Sequence, residues 1–219
     1  MAQFRDRDDA GRQLAEALAR YSGQDAVILA LPRGGVPVAA RVAEALAAPL
    51  DLVLVRKIGL PAQPELAIGA VVDGDDPQTV RNESLIRATG TTEAVFAQVR
   101  DRECRENESR RHRYIGDRPR APVAGRIAIV VDDGVATGAT VRAALRAIRK
   151  QGPRELVLAV PVGAPDVIED LRNETDTIVC LATPPDLGAI GYYYDSFDQV
   201  TDNAVIAILA RHPANDGGQ

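Results

Sequence analysis

The chain has 219 residues, 46% of them hydrophobic and 26% charged, which excludes wholesale disorder and leaves room for one sizeable core. A formal net charge of -5 and a pI near 5.2 argue against a general nucleic-acid coat. Two cysteines, Cys104 and Cys180, make neither a disulfide framework nor a metal cluster and point to a reducing compartment.

The opening MAQFRDRDDAG is charged and lacks the apolar core of a signal peptide. No apolar run approaches the ~18–20 residues that span a bilayer. The expected location is therefore cytoplasmic, with no membrane partner. Sequons at Asn82, Asn107 and Asn173 then read as chance matches. Only Lys57 and Lys150 are lysines among 26 basic residues, so clusters of Arg alone carry little meaning here.

In chain order, Asp8 and Asp9 precede AGRQLAEALARYSG, a helix with acids at its start and Gly at its stop. DAVILAL is a short apolar run that reads as a buried strand. LPRGG follows, then the helix VPVAARVAEALAAP with Pro37 in its first turn. DLVLVRK reads as a second strand, GLPAQPE as a mobile loop, and LAIGAVVDG as a third strand or hairpin arm. NESLIRATG predicts a short helix capped by Asn82. TTEAVFAQVRDRECRENESRRHRY predicts a long helix, apolar early and polar late. RIAIVV is a strand, ATVRAALRAIRKQG a helix, ELVLAVPV a strand, PDVIEDLRNE a helix and DTIVCLATP a strand. GAIGYYYDSF precedes a last helix, TDNAVIAILAR, and HPANDGGQ should fray. Strands that are continuous apolar runs and alternate with helices predict an α/β fold with a central parallel sheet covered on both faces. In such folds ligands sit at the carboxyl ends of the strands.

The richest of those ends is VVDDGVATGAT. Ile127 to Val131 run into Asp132 and Asp133, and a turn of Thr137, Gly138, Ala139 and Thr140 opens a helix. Free N–H groups at a helix start bind anions, and the helix dipole adds to this. Small residues allow close approach, and the threonine hydroxyls add donors. Two carboxylates can accept from a sugar diol or hold Mg²⁺ through water. The loop lacks both the Walker Gly-Lys-Thr/Ser and the three-glycine dinucleotide fingerprint.

This stretch resembles the signature of type I phosphoribosyltransferases, which bind 5-phosphoribosyl-1-pyrophosphate (PRPP). The resemblance implies a parallel sheet of about five strands, a flexible loop and a hood over the base. It implies one domain over 1–219, with a helical insertion at about 81–114 and a hood or tail at about 183–219. Asp132 and Asp133 would hold the ribose hydroxyls, and Ala136 to Thr140 would cradle the 5′-phosphate. LPRGG resembles the family's pyrophosphate loop, with charge from Arg33 and close approach at Gly34 and Gly35. LVRKIGLP resembles the adenine enzymes, where Lys57 would meet a pyrophosphate oxygen. The loop beyond carries Glu65, a candidate contact for base or leaving group. GAIGYYYDSF resembles the hypoxanthine-guanine enzymes near their base pocket. By that match Asp195 is a Mg²⁺ ligand, and Ala189 and Ile190 present backbone to the base. By propensity, one or two of Tyr192, Tyr193 and Tyr194 read instead as a half-buried strand.

There are departures from the pattern. Gly188 stands where the family's base-stacking aromatic would be, and Ala136 where hypoxanthine-guanine enzymes carry an acid used as general base. Adenine enzymes also have Ala there, so the acceptor stays open. The resemblance implies transfer of the phosphoribosyl group to a nucleobase-like small molecule with Mg²⁺, and it admits a homodimer. The rival reading is a PRPP or nucleotide sensor on the same fold. Arg110 to Arg113 is its only support, and that run also reads as a solvated helix face among Glu103, Glu106 and Glu108. His112 and His212 have no neighbours at zinc spacing, and no Gly-x-Ser-x-Gly elbow occurs.

Overall fold

The computed structural model describes residues 3–74 and 76–212. In chain order the elements are α1 (Arg7–Ala17), β1 (Ala26–Ala30), α2 (Gly35–Leu46), β2 (Leu50–Leu52), β3 (Val55–Leu60), β4 (Gln63–Val72) and β5 (Gln78–Arg81). They continue with α3 (Glu83–Thr89), α4 (Glu93–Ile115), β6 (Ile127–Val131), α5 (Ala139–Lys150), β7 (Glu155–Val162), α6 (Pro165–Leu171), β8 (Thr177–Ala182) and α7 (Asp202–Ala210).

Five strands form a parallel sheet in the order β2-β1-β6-β7-β8. Every residue of β1 and β6 is buried, as continuous Val, Ile, Leu and Ala runs require when both faces are covered. Alternate residues serve opposite faces. Ile28, Ala30, Ile129 and Val131 pack with Leu14, Val38 and Val205 of α1, α2 and α7. Val27, Leu29, Ala128 and Val130 pack with Val141, Leu145 and Ile168 of α5 and α6. The apolar stripe of α5 faces the sheet and its basic residues face out. No helix among the described residues is long and apolar enough to cross a membrane. The fold class expected from the sequence is the one observed.

Four local expectations change. Asp8 and Asp9 lie inside the first turn of α1, and the cap is Asp6, whose carboxylate accepts from Asp9 N at 2.8 Å. DLVLVRK is not one strand. Only β2 joins the parallel sheet, while β3 pairs antiparallel with β4, and β4 with β5. The break is at Leu54, whose N–H donates to Asp73 Oδ1 at 2.6 Å and whose carbonyl accepts from Asp73 N and from Asn107 Nδ2. That pinning diverts the chain. GLPAQPE is mostly strand, turning only at Pro61 and Ala62. Pro64 is tolerated because β5 pairs only with Gly69 to Val72, leaving that end of β4 an edge. Gly59 sits at a bulge where a β-carbon would overlap the Pro64 carbonyl. Finally, residues 190–193 form a 3-10 turn rather than a strand, closed by Tyr192 N to Ala189 O and Tyr194 N to Gly191 O.

The long helix α4 departs from expectation in a way that matters. Its buried stripe is Phe96, Val99, Glu103, Asn107, Arg111 and Tyr114, at helical spacing but half polar. Arg111, expected on a solvated face, is buried. Its guanidinium donates to both oxygens of Asp51 at 3.0 and 3.1 Å and reaches Asp73 at 3.5 Å. Asp51 also accepts from Leu52 N and Ala121 N, and Arg120 pairs with Asp73. The helix is thus tied to β2 and to the end of β4. The expected fraying of the tail lies, from residue 213, outside the described residues. Removing one partner of a buried ion pair leaves uncompensated charge. Arg111→Ala should therefore lower the free energy of unfolding by about 3–5 kcal/mol, read from the urea midpoint. A loss under about 1 kcal/mol, the range of an exposed pair, would show that Arg111 is not holding the layer.

Candidate active site

The acidic pair stands at the carboxyl tip of β6, at the centre of the sheet. Val135 anchors the loop beyond, its N–H on Val162 O and its carbonyl accepting from Ala164 N. Gly138 then turns the chain with φ +71°, and a β-carbon there would lie 2.5 Å from Val167 Cγ1, so glycine is required twice over. No side chain caps α5. The first-turn N–H groups are therefore free where the helix dipole is positive, and Thr137, Ala139 and Thr140 are exposed beside them.

Segments a hundred residues apart meet here. Leu31 N donates to Val131 O, laying the Pro32 to Gly35 turn on the tip of β6. The peptide between Pro32 and Arg33 is cis. A β-carbon at Gly34 would overlap Asp133 Oδ2, and one at Gly35 would sit 2.7 Å from Val131 O and 2.9 Å from Asp132 Cα. Both glycines are thus explained by the acids they lie against. Arg7 of α1 donates through Nε to Asp133 Oδ2 at 2.7 Å and through Nη1 to Asp198 O. Its guanidinium stacks 3.8 Å over the Phe197 ring. Tyr194 OH donates to Asp133 O at 2.7 Å, and burial keeps that phenol protonated. Asp132 Oδ1 accepts from Asp133 N. Burial first, and the Asp133 charge second, push the Asp132 carboxyl well above the usual range.

Two concavities border this loop. One, of about 550 Å³, is lined by Arg7, Arg33, Gly34, Asp133, Ala189 and Phe197 among others. The other, of about 490 Å³, brings Lys57 on β3 to Thr137, Ala139 and Thr140, with Arg142 and Arg146 along its rim. Lys57 is exposed. Ala136 is exposed on the turn, Gly35 and Gly138 are buried, and Asp132 is half-buried. Asp195 is exposed, its N–H on Phe4 O, and it lines neither concavity. Among the described residues no three carboxylate, His or Cys side chains gather as a metal cage. The donor set is instead one pair of hard carboxylates, which suits Mg²⁺ held through water and ligand phosphates. Neither thiol is a poised nucleophile, since burial raises both and pushes Cys180 up to about 11.

Arg7, Tyr194 and Phe197 escaped the sequence reading. Arg7 is one of many arginines, 126 positions from its partner, and nothing local marks it.

An acid whose folded-state pKa is raised stabilises the fold while protonated, and that contribution is lost as pH climbs through the raised value. Asp132→Asn should therefore be more stable than the parent at neutral pH, with the gap closing as pH falls into the ordinary carboxylate range. Thermal melts from pH 4 to 8 test this. A destabilised variant at neutral pH would mean that the ionised form is favoured by the fold.

Residues 4–196 match the model of the phosphoribosyl transferase domain. Two Mycobacterium tuberculosis proteins, one from each of two strains, carry the provisional name phosphoribosyl transferase. Each is 47% identical over 211 residues, which is 96% of this chain and 47% of theirs. The chain thus spans about half the length of the curated relatives it matches. The crystal structure of TT1426 from Thermus thermophilus is similar over 97% of this chain and 100% of that one, with TM-score 0.84 and 43% identity. The match over residues 4–196, on a fold whose central strand tip carries the acidic pair and an uncapped helix start, places this protein in the phosphoribosyl transferase family.

Proposed function

We propose that the protein transfers the 5-phosphoribosyl group of PRPP to a ring nitrogen of a nucleobase-like acceptor, releasing pyrophosphate. The observation that carries this reading is the 132–140 loop. One short stretch sets two carboxylates beside an uncapped helix start, and a Gly-Gly turn rests on the acids. A sugar monophosphate needs hydroxyl acceptors beside an anion cradle. The N–H groups at Gly138 to Thr140 and the Thr137 and Thr140 hydroxyls would take the 5′-phosphate. Asp132 and Asp133 would accept from the ribose hydroxyls. The bond from C1 to pyrophosphate breaks as the bond from C1 to acceptor nitrogen forms, and the acceptor gives up a proton. Positive charge develops on the ribose, where the acids stand. Arg33 and Lys57, with the turn's backbone, would meet the charge on the leaving pyrophosphate. When bound, Mg²⁺ would spread that charge further, with Asp132 as a protein ligand; Asp195, the other ligand the resemblance implies, lines neither concavity.

A cytoplasmic setting accords with two free cysteines. The basic run that supported the sensor reading is weakened, because Arg111 turns into the core.

A panel of nucleobases with PRPP and Mg²⁺, scored for pyrophosphate, should show turnover with at least one acceptor. A silent panel with tight PRPP binding would favour a sensor. In the active pairing, Asp133→Asn and Lys57→Ala should each lower turnover by ~10²-fold with the melting curve of a folded protein. Unchanged turnover in both would refute their roles.

A further inference from the structure

Helix α4 reaches both cations of the site. Midway along it, Glu103 pairs with Arg56 at 2.5 Å, next to Lys57, and Asn107 Nδ2 donates to Leu54 O. At its carboxyl end, Tyr114 has a buried ring, and its hydroxyl donates to Asp202 Oδ1 at 2.8 Å. Asp202 opens α7, where a carboxylate also complements the helix dipole. Its Oδ2 accepts from Arg113 at 3.2 Å, and its Oδ1 from Arg33 Nη1 at 3.4 Å. Among the described residues Asp202 is the one side-chain partner of Arg33, so Nε and Nη2 stay free. Arg33 and Asp202 are each about one-third exposed, 33% and 32% by side chain, and Arg33 lines the concavity that holds Asp133.

We infer that Asp202, oriented by Tyr114, is a positioning residue for Arg33. It holds one edge of the guanidinium and turns the other toward an incoming phosphoryl anion. The inference rests on the PRPP reading above and gives the 81–114 segment a task within it. A long arginine side chain has several rotamers to lose on binding, and a carboxylate that fixes it beforehand removes part of that cost. The carboxylate also attracts Arg33 away from an anion, so the opposite sign is a real alternative. The long 3.4 Å contact on one nitrogen, with two donors left open, favours positioning over capture.

The test is a double-mutant cycle in PRPP binding with Mg²⁺, followed by calorimetry on the full chain: parent, Asp202→Asn, Arg33→Ala and both together. Asp202→Asn should raise Kd about threefold to tenfold. The same change in the Arg33→Ala background should have no effect. Tyr114→Phe keeps the ring and loses only the hydroxyl, so it should move Kd in the same direction by less. It stands in should Asp202→Asn melt early. Asp202→Glu should recover part of the loss. Tighter binding by Asp202→Asn, or an equal loss with and without Arg33, overturns the inference while leaving the PRPP reading in place. A parent protein that binds no PRPP overturns both.

Discussion

Two adjacent carboxylates at the tip of a buried strand repel each other, and one of them is desolvated. Everything around them answers that constraint. Arg7 supplies the nearest opposite charge to Asp133, and it is itself fixed by the Phe197 ring and the Asp198 carbonyl. Gly34 and Gly35 are glycines because the acids occupy the volume a side chain would need. Asp132 is left with a raised affinity for its proton, which is energy held against folding. Its neighbour Asp133 lines the concavity that also holds Arg33 and Gly34, and a strongly perturbed acid beside a cleft marks a candidate functional site.

The second dependence is on α4. A 23-residue helix whose buried stripe carries Glu103, Asn107 and Arg111 cannot be held by apolar burial alone. It is held by hydrogen bonds to the seam between the two sheets, at Asp51, Leu54 and Asp73. Such contacts are directional, so they set where the helix lies as well as whether it binds. The base of the β3–β4 hairpin is fixed by the same contacts. Lys57, paired with Ala70 in that hairpin, is therefore placed by the β3–β4 ladder and by the buried polar seam at its base.

How much was legible beforehand follows from the range of each interaction. The parallel sheet was readable because burial on both faces writes itself as unbroken apolar runs such as IAIVV. The glycine turn into an uncapped helix after β6 was readable because the constraint is local: small residues and a helix start within a few positions. Lys57 and the Gly-Gly turn were read from their places after strands, and the structure brings each to the edge of the 132–140 loop. What was not legible is pairing across the chain. Arg111 sits in a run of basic residues whose helical spacing says nothing about which one turns inward until Asp51, sixty positions earlier, is placed beside it. The split of DLVLVRK was hidden for the same reason, since its cause is Asp73 on a later strand. Arg7 was hidden by composition, one arginine among many.

The departures from the sequence pattern around residue 188 have a common physical origin. Residue 188 has φ +59°, and a β-carbon there would lie 3.3 Å from the Tyr192 ring, so no aromatic side chain could occupy it without strain in both backbone and neighbour. Tyr192 itself is 76% exposed and lines neither concavity. The ring that does line the Asp133 concavity, Phe197, carries Arg7 over one face at 3.8 Å and packs against Tyr194 at 4.9 Å. Glycine at 188 is then no isolated loss. It accompanies the 3-10 turn at 190–193, the Arg7 stack on Phe197 and the Tyr194 bond to Asp133, which together tie this end of the chain to the acidic pair.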